Sequence, residues 1–99
     1  RRQVVRWLGG MFTSLAGEEF SAFGVNKEKG GLLINRLALS SPLAGAKLQA
    51  EDVIQTINGK PVKDKASLQK ASSRLKKGDK VEIGYVRFQN SQKLSFTHP

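Results

Sequence analysis

Residues 54–62 constrain the fold of this chain more than any other stretch. A run rich in branched apolar residues is followed at once by Asn58-Gly59. Both residues of that pair tolerate the positive φ that a tight two-residue turn requires. The stretch therefore predicts a buried strand over residues 53–57 that turns back on itself in a hairpin.

The segments on either side of this hairpin predict helices. Upstream, Ser41 can cap a short helix whose first residue is Pro42, a position where proline loses no hydrogen bond. Downstream, Asp64 is the expected cap of a longer helix over residues 66–77, closed by Gly78. Small and apolar residues recur there at helical spacing and form one narrow stripe: Leu68, Ala71, Ser72 and Leu75.

The rest of the chain predicts mostly strands. Branched and apolar residues indicate strands over residues 32–37, 81–86 and 93–97, and a further strand follows Gly9-Gly10. A short helix within residues 17–23 is expected to end at Gly24. The sum is an α+β domain in which helices cover the apolar faces of a small sheet.

Composition narrows the possible functions. A chain of 99 residues makes one domain, and the absence of cysteine excludes disulfides and thiolate metal sites. The net charge of +9 favours acidic partners. The basic residues are scattered and lack interleaved aromatic side chains, so we expect no nucleic-acid binding. No apolar run is long enough to predict membrane insertion.

No catalytic or metal-binding constellation is recognised in the sequence. His98 is the only histidine, and it lies one residue from the end. A Ser-His-Asp triad therefore has no support, and metal binding lacks ligands. We expect no catalytic residue, no metal and no cofactor. Asp52 reads as a turn-stabilising side chain, Arg87 as a surface residue and Asn90-Ser91 as a turn.

Residues 41–62 and 75–81 together resemble a PDZ domain of the bacterial type. They follow its order of Ser-Pro, alanines, Leu, Asp, branched residues and Asn-Gly-Lys-Pro-Val, and then its helix end Leu-Lys-Lys-Gly-Asp-Lys-Val. The resemblance implies a PDZ-like, partly open β-barrel or sandwich of five to six strands. One long helix and one or two short helices would cap it.

The opening is most similar to PDZ domains of HtrA/Deg (protease Do-like) trypsin-like serine proteases. Trp7-Leu8-Gly9, then residues 18–24 ending in Phe-Gly, then residues 31–34 follow that pattern. Lys47 and Glu51 depart from it, because the family usually has glycine at both positions. If these positions need positive φ, each substitution costs on the order of 1 kcal/mol. Gly10 also departs, since a larger apolar residue is usual there.

The resemblance implies a peptide groove between the strand at residues 10–13 and the helix at 66–76. An extended or C-terminal peptide would add as a strand along a free edge of residues 10–13. The following residues would then bind the terminal carboxylate: Trp7, Leu8, Gly9 and Gly10. The pairing strand would be Gly10, Met11, Phe12 and Thr13, of which only one of Met11 and Phe12 can face the groove. The groove helix would contribute Leu68, Ala71, Ser72 and Leu75.

Each of these assignments has a structural alternative. Leu68 and Leu75 can be core residues, Trp7 a packing anchor, and Gly9-Gly10 an ordinary turn. In the peptide-binding interpretation, the pocket for the last side chain of the peptide would instead be lined by Leu8, Met11, Leu68 and Leu75.

The predicted domain organisation is a linker at residues 1–6, one PDZ domain at 7–97 and a tail at 98–99. The resemblance implies a periplasmic or cell-envelope location. The parent would be a trypsin-like serine endopeptidase whose protease domain is a partner, and oligomers would form only through that parent. The alternative is a scaffolding PDZ domain of another envelope assembly, a secretion component or a membrane-embedded protease, with a fixed protein partner.

Overall fold

One antiparallel sheet runs through residues 2–99, the part of the chain that the computed structural model describes. The order across the sheet is β1-β2-β3-β4-β6-β7, and the short β5 pairs with β4. The strands are β1 (Val4–Trp7), β2 (Gly10–Ser14), β3 (Leu32–Leu37), β4 (Val53–Ile57), β5 (Lys60–Pro61), β6 (Lys80–Arg87) and β7 (Asn90–Thr97). The predicted α+β, PDZ-like class is confirmed, with seven strands in place of five or six.

Three short helices cover this sheet: α1 (Glu19–Phe23), α2 (Pro42–Gly45) and α3 (Lys65–Ser72). The predicted caps are present. Ser41 Oγ accepts the N–H of Leu43 at the start of α2, and Gly24 ends α1 in the left-handed conformation. None of the helices within residues 2–99 has the length and apolar character needed to cross a bilayer.

Asn58-Gly59 makes the predicted hairpin between β4 and β5. Both residues have positive φ, 50° and 81°, and Ile57 faces Lys60 across the turn. The Asn58 side chain accepts the N–H of Glu82 at 2.7 Å, which also ties the turn to β6. The turn signal in the sequence therefore had both a local and a tertiary basis.

The main core lies on the face of the sheet that carries α2 and α3. Its buried members are Val5, Phe12, Leu32, Ile34, Leu43, Leu48, Ile54, Ile57, Val62, Leu68, Ala71, Val81, Ile83 and Tyr85. A second cluster contains Leu15, Val25, Leu33, Val53 and Val86, and Phe20 and Phe23 of α1 pack against it. The alternation of side chains along β3 and β4 supplies both clusters.

Helix α3 is shorter than predicted. Asp64 caps it as expected, with its side chain and Ser67 forming a capping box. The helix ends at Ser72. The Ser72 hydroxyl donates to the Leu68 carbonyl oxygen at 2.8 Å, and such back-bonding slightly destabilises a helix. The following turn is held by Asp79, whose carboxylate accepts the Lys76 N–H at 2.9 Å. Leu75 therefore lies beyond the helix.

The two ends of the chain differ from the expected linker and tail. Val4–Trp7 belongs to strand β1, because Val5 fills a core position, whereas Arg1 lies outside the described residues. At the other end, the His98 N–H donates to the Asp79 carbonyl oxygen at 2.8 Å, and the Gly78 N–H donates to the His98 carbonyl oxygen at 2.9 Å. His98 thus continues the pairing of β7 with β6.

One prediction near the end of β6 is wrong, and a second is incomplete. The last turn is at Phe88-Gln89, both with positive φ, because Arg87 already faces Asn90. The Arg87 side chain is partly exposed, at 19%, but it also forms an ion pair with Asp52, whose side chain is buried.

Candidate functional site

Strand β2 has a partner on each side. Gly10 to Ser14 pair with β3, and Gly10 to Thr13 pair with β1 in an antiparallel register that sets Val4 opposite Thr13 and Trp7 opposite Gly10. The prediction that residues 10–13 form a free edge is therefore wrong. The strand that occupies this edge is β1, which belongs to the segment that was expected to be a linker.

Strand β1 lies between β2 and α3. Gln3 Oε1 accepts the N–H of Lys65 at 3.1 Å, so the start of β1 is fixed to the first turn of α3. Val5 is only 3% exposed and packs in the core, whereas the neighbouring Val4 is 51% exposed. A small cavity of about 320 Å³ remains here, lined by Val4, Val5, Arg6, Trp7, Lys65, Leu68, Gln69 and Ser72.

The turn from β1 to β2 is the predicted carboxylate loop. Leu8 and Gly9 are its two central residues, with φ of 47° and 79°, the signs of a type I′ turn. The Leu8 carbonyl oxygen accepts the Ser41 hydroxyl at 2.6 Å, and the Gly9 carbonyl oxygen accepts the Ala38 N–H at 2.9 Å. Within residues 2–99, the N–H groups of Leu8 and Gly9 have no protein acceptor.

These two carbonyl bonds also orient the amides of the turn. In a trans peptide unit the C=O and N–H point in opposite directions. Because Ser41 holds the Leu8 carbonyl, the Gly9 N–H points away from α2. The Ser41 hydroxyl therefore both holds the turn and caps α2.

Gly10 leaves no empty pocket. A Cβ atom at this position would lie 2.9 Å from Leu37 Cδ2 and 3.0 Å from the Phe12 ring. Phe12 is fully buried and occupies the core face of β2. The space that a larger residue would use is therefore already filled by its neighbours.

Met11 lies on the face of β2 opposite Phe12, away from α3. Its cross-strand partners are Arg6 and Arg36, and Arg6 Nη2 is 3.9 Å from Met11 Sδ. An open depression of about 570 Å³ lies on this side, lined by Arg6, Trp7, Leu8, Gly9, Gly10, Met11, Arg36, Leu37 and Ala38. The predicted pocket of Leu8, Met11, Leu68 and Leu75 is therefore not assembled, because strand alternation separates Met11 from α3.

The helix residues divide between core and groove. Leu68 and Ala71 are buried in the main core, and Leu68 also borders the cavity beside β1. Ser72 borders the same cavity, while its hydroxyl is bonded within the helix. Leu75 packs against the core from the turn after α3 and does not line this cavity.

Val5 and Gln3 are the site residues that sequence analysis missed. The signal was present: the run Val4-Val5-Arg6-Trp7 is followed by Leu8 and then by two glycines, which is typical of a hairpin. Thr13 faces Val4 in that hairpin and accepts a hydrogen bond on its hydroxyl from the Asn35 amide at 3.2 Å. Among residues 2–99, no cluster of three metal-ligating side chains is found.

Comparison with known proteins places this geometry in a family. A family model described as "PDZ domain" matches residues 22–97. A probable periplasmic serine endoprotease DegP-like of Pseudomonas savastanoi pv. phaseolicola is 34% identical over 91 residues, which cover 92% of this chain and 19% of the relative. The periplasmic serine endoprotease DegP of Salmonella typhimurium is 32% identical over 80 residues, covering 81% of this chain and 17% of the relative.

Solved structures agree. An HtrA-type protease AlgW with decapeptide has a TM-score of 0.72 at 25% identity, over 93% of this chain and 28% of that one. The HtrA3 PDZ domain bound to a phage-derived ligand (FGRWV) has a TM-score of 0.70, over 98% of this chain and 88% of that one. At 18% identity this second likeness shows the fold alone.

The chain belongs to the PDZ domain family, and its relatives are periplasmic serine endoproteases of the DegP/HtrA type. Their names support the periplasmic location that the resemblance implied. The chain spans about a fifth of the length of these relatives, 19% in the Pseudomonas protein. It corresponds to one PDZ domain of such a protein.

Proposed function

We propose that this chain is a peptide-binding module, the substrate-recognition or regulatory domain of an HtrA-like serine protease. An extended or C-terminal peptide adds as a strand between β2 and α3. The AlgW structure, which contains a decapeptide, supports the proposal. The protease domain of the same parent is then its functional partner, and oligomers form through that parent.

The observation that carries the proposal is the position of β1. An extended backbone already lies along β2 and beside α3, paired in register from Val4 to Trp7. Its buried side chain, Val5, packs into the core next to the helix. The site therefore has the width, the hydrogen-bonding edge and the apolar wall that strand addition requires.

The turn at Trp7, Leu8, Gly9 and Gly10 supports capture of a terminal carboxylate. Free N–H groups at Leu8 and Gly9 suit an anion, and the ties to Ser41 and Ala38 keep the turn in place. A peptide whose C-terminus reaches this turn must run antiparallel to β2, because β2 begins at Gly10. Strand β1 has the same direction.

We infer no catalysis by this chain. The only histidine, His98, lies in the pairing at the end of β7, and its Nδ1 is 2.8 Å from the Pro99 carbonyl oxygen. Proteolysis belongs to the proposed parent, a trypsin-like serine endopeptidase. Purified chain is expected to leave casein intact, and casein cleavage that follows the chain through purification would contradict this part.

The binding proposal is tested by NMR titration with the pentapeptide Phe-Gly-Arg-Trp-Val, once with a free C-terminus and once amidated. We expect the free peptide to shift the amides of residues 8–13 and of Leu68 and Ser72. Amidation should weaken binding, because the neutral end no longer attracts the N–H groups of the turn. No saturable shift at millimolar peptide, both in this chain and in a variant whose β1 segment cannot pair with β2, would contradict peptide binding. Equal binding of the free and amidated peptides would contradict carboxylate capture.

A further inference from the structure

The segment in the groove is part of the same chain, and this has a consequence for regulation. We propose that β1 is an intramolecular competitor that must leave the groove before a peptide can bind, an inference that rests on the proposed function. Strand β1 uses the edge of β2 that an added peptide would need, from Gly10 to Thr13. Both cannot pair with that edge at the same time.

Strand β1 has the features of a bound peptide, and it also has the features of a segment that can leave the groove. Its direction is that of a peptide ending at the turn, and Val5 fills an apolar site beside Leu68. It is also short, with four residues, and it lies at one edge of the sheet. Three of its four side chains are only partly buried or exposed. A short edge strand with one buried side chain is the part of a sheet that opens most readily.

The competition multiplies the intrinsic peptide affinity by the fraction of molecules in which the groove is open, so the apparent affinity falls as that fraction falls. Release of β1 also changes the connection to any chain attached before Val4. Four extended residues span roughly 13 Å, so an attached domain gains that much reach when a peptide replaces β1. Binding of a peptide in the groove thereby changes how far an attached domain can move from this one.

A variant that expels β1 tests the proposal. Val5→Asp puts a charge at a position that is 3% exposed, so the closed state becomes unfavourable. We expect the affinity for Phe-Gly-Arg-Trp-Val to rise roughly tenfold or more over the unmodified chain. Phe88→Asp is the control, since it adds the same charge at an exposed side chain that does not line the groove. It should change affinity by less than about threefold.

A reversible lock provides the second test and does not depend on an opened variant that folds. Val4 faces Thr13, and counting outward from the two-residue turn makes this a non-hydrogen-bonded pair, whose Cα atoms are close enough for a disulfide. The chain has no other cysteine. Val4→Cys with Thr13→Cys, when oxidised, should bind the pentapeptide at least tenfold more weakly than the same protein after reduction.

The outcomes separate this inference from the proposed function. Equal affinity of the oxidised and reduced forms, or a Val5→Asp chain that is folded by NMR and binds no tighter than the unmodified chain, would overturn the inference while peptide binding survives. Failure of the reduced and Val5→Asp forms to bind at millimolar peptide would overturn the proposed function.

Discussion

The guanidinium of Arg87 forms a bidentate ion pair with the carboxylate of Asp52. Nε donates to Oδ1 at 2.8 Å and Nη2 donates to Oδ2 at 2.6 Å, while Nη2 also reaches the Lys47 carbonyl oxygen at 2.9 Å. Asp52 is 1% exposed and accepts the Gln49 N–H as well. The hydrogen bonds to Asp52 raise the pKa of Arg87 above its usual value. The pair joins the end of β6 to the turn before β4.

Loss of this pair should destabilise the domain strongly. Arg87→Ala leaves a buried carboxylate without its cation, and we expect the free energy of unfolding to fall by about 2–3 kcal/mol, short of a fully buried pair because Arg87 is partly solvated. Arg74→Ala is the control, since Arg74 is exposed, and it should cost less than about 0.5 kcal/mol. Urea denaturation of both variants measures this, and equal effects would contradict it.

Lys47 and Glu51 should be the opposite case, because their replacement by glycine is expected to stabilise the domain. Their φ angles are 79° and 74°, a region that favours glycine. Lys47→Gly and Glu51→Gly should each raise the free energy of unfolding by about 0.5–1 kcal/mol, after the greater freedom of glycine in the unfolded chain is deducted. Lys70→Gly, inside α3, should lower it by about 1 kcal/mol. A loss of stability in both Lys47→Gly and Glu51→Gly would contradict the inference that these two residues are strained.

Two glycines should respond in opposite directions to alanine. A Cβ at Gly31 would collide with Val53 Cγ1 and lie 2.9 Å from the Ile54 carbonyl oxygen, whereas a Cβ at Gly45 meets open space within α2. Gly31→Ala should cost about 2–3 kcal/mol through overpacking. Gly45→Ala should gain about 0.4–1 kcal/mol. Thermal or urea unfolding measures both, and a tolerated Gly31→Ala would show that the contact between β3 and β4 is looser than described.

The Asp64 cap predicts a dependence of stability on pH. The pKa of Asp64 is lowered from 3.8, chiefly because its carboxylate accepts the Ser67 N–H at 2.9 Å. A carboxylate with a lowered pKa in the folded state stabilises above its unfolded pKa, and the gain disappears as pH falls through the folded pKa. The charge-dependent part should therefore be complete above pH 3.8 and decline at lower pH.

Asparagine and alanine at this position separate charge from cap geometry. Asp64→Asn keeps a capping oxygen without a titrating group, so its deficit relative to the natural chain should shrink in acid. Asp64→Ala should cost about 1 kcal/mol at neutral pH. A deficit of Asp64→Asn that grows as the pH is lowered would contradict this account.

The fold could be predicted from local signals because these agree with the tertiary contacts. Asn58-Gly59, Ser41-Pro42 and Gly24 each specify a backbone geometry, and the structure contains all three. The end of α3 was missed, because Leu75 continues the apolar spacing although the Ser72 hydroxyl weakens the helix. Periodicity alone does not register that competition.

The site was predicted less completely than the fold. The turn at Leu8-Gly9 is where it was expected, but its ties to Ser41 and Ala38 join positions far apart in sequence. Alternation along the strand predicts that Met11 faces the opposite side from Gly10 and Phe12. It does not predict which of the two sides faces the core. The pairing of β1 depended on the choice between a linker and a hairpin at residues 4–10.

The central claim is that β1 and a peptide compete for one edge of β2. The most direct measurement is the NOE between the Hα protons of Val4 and Thr13, which face each other across β1 and β2. It should be strong in the free protein and lost at saturation with Phe-Gly-Arg-Trp-Val, while intermolecular NOEs appear between the peptide and residues 10–13. A Val4–Thr13 NOE that keeps its full intensity in the saturated complex would contradict the account.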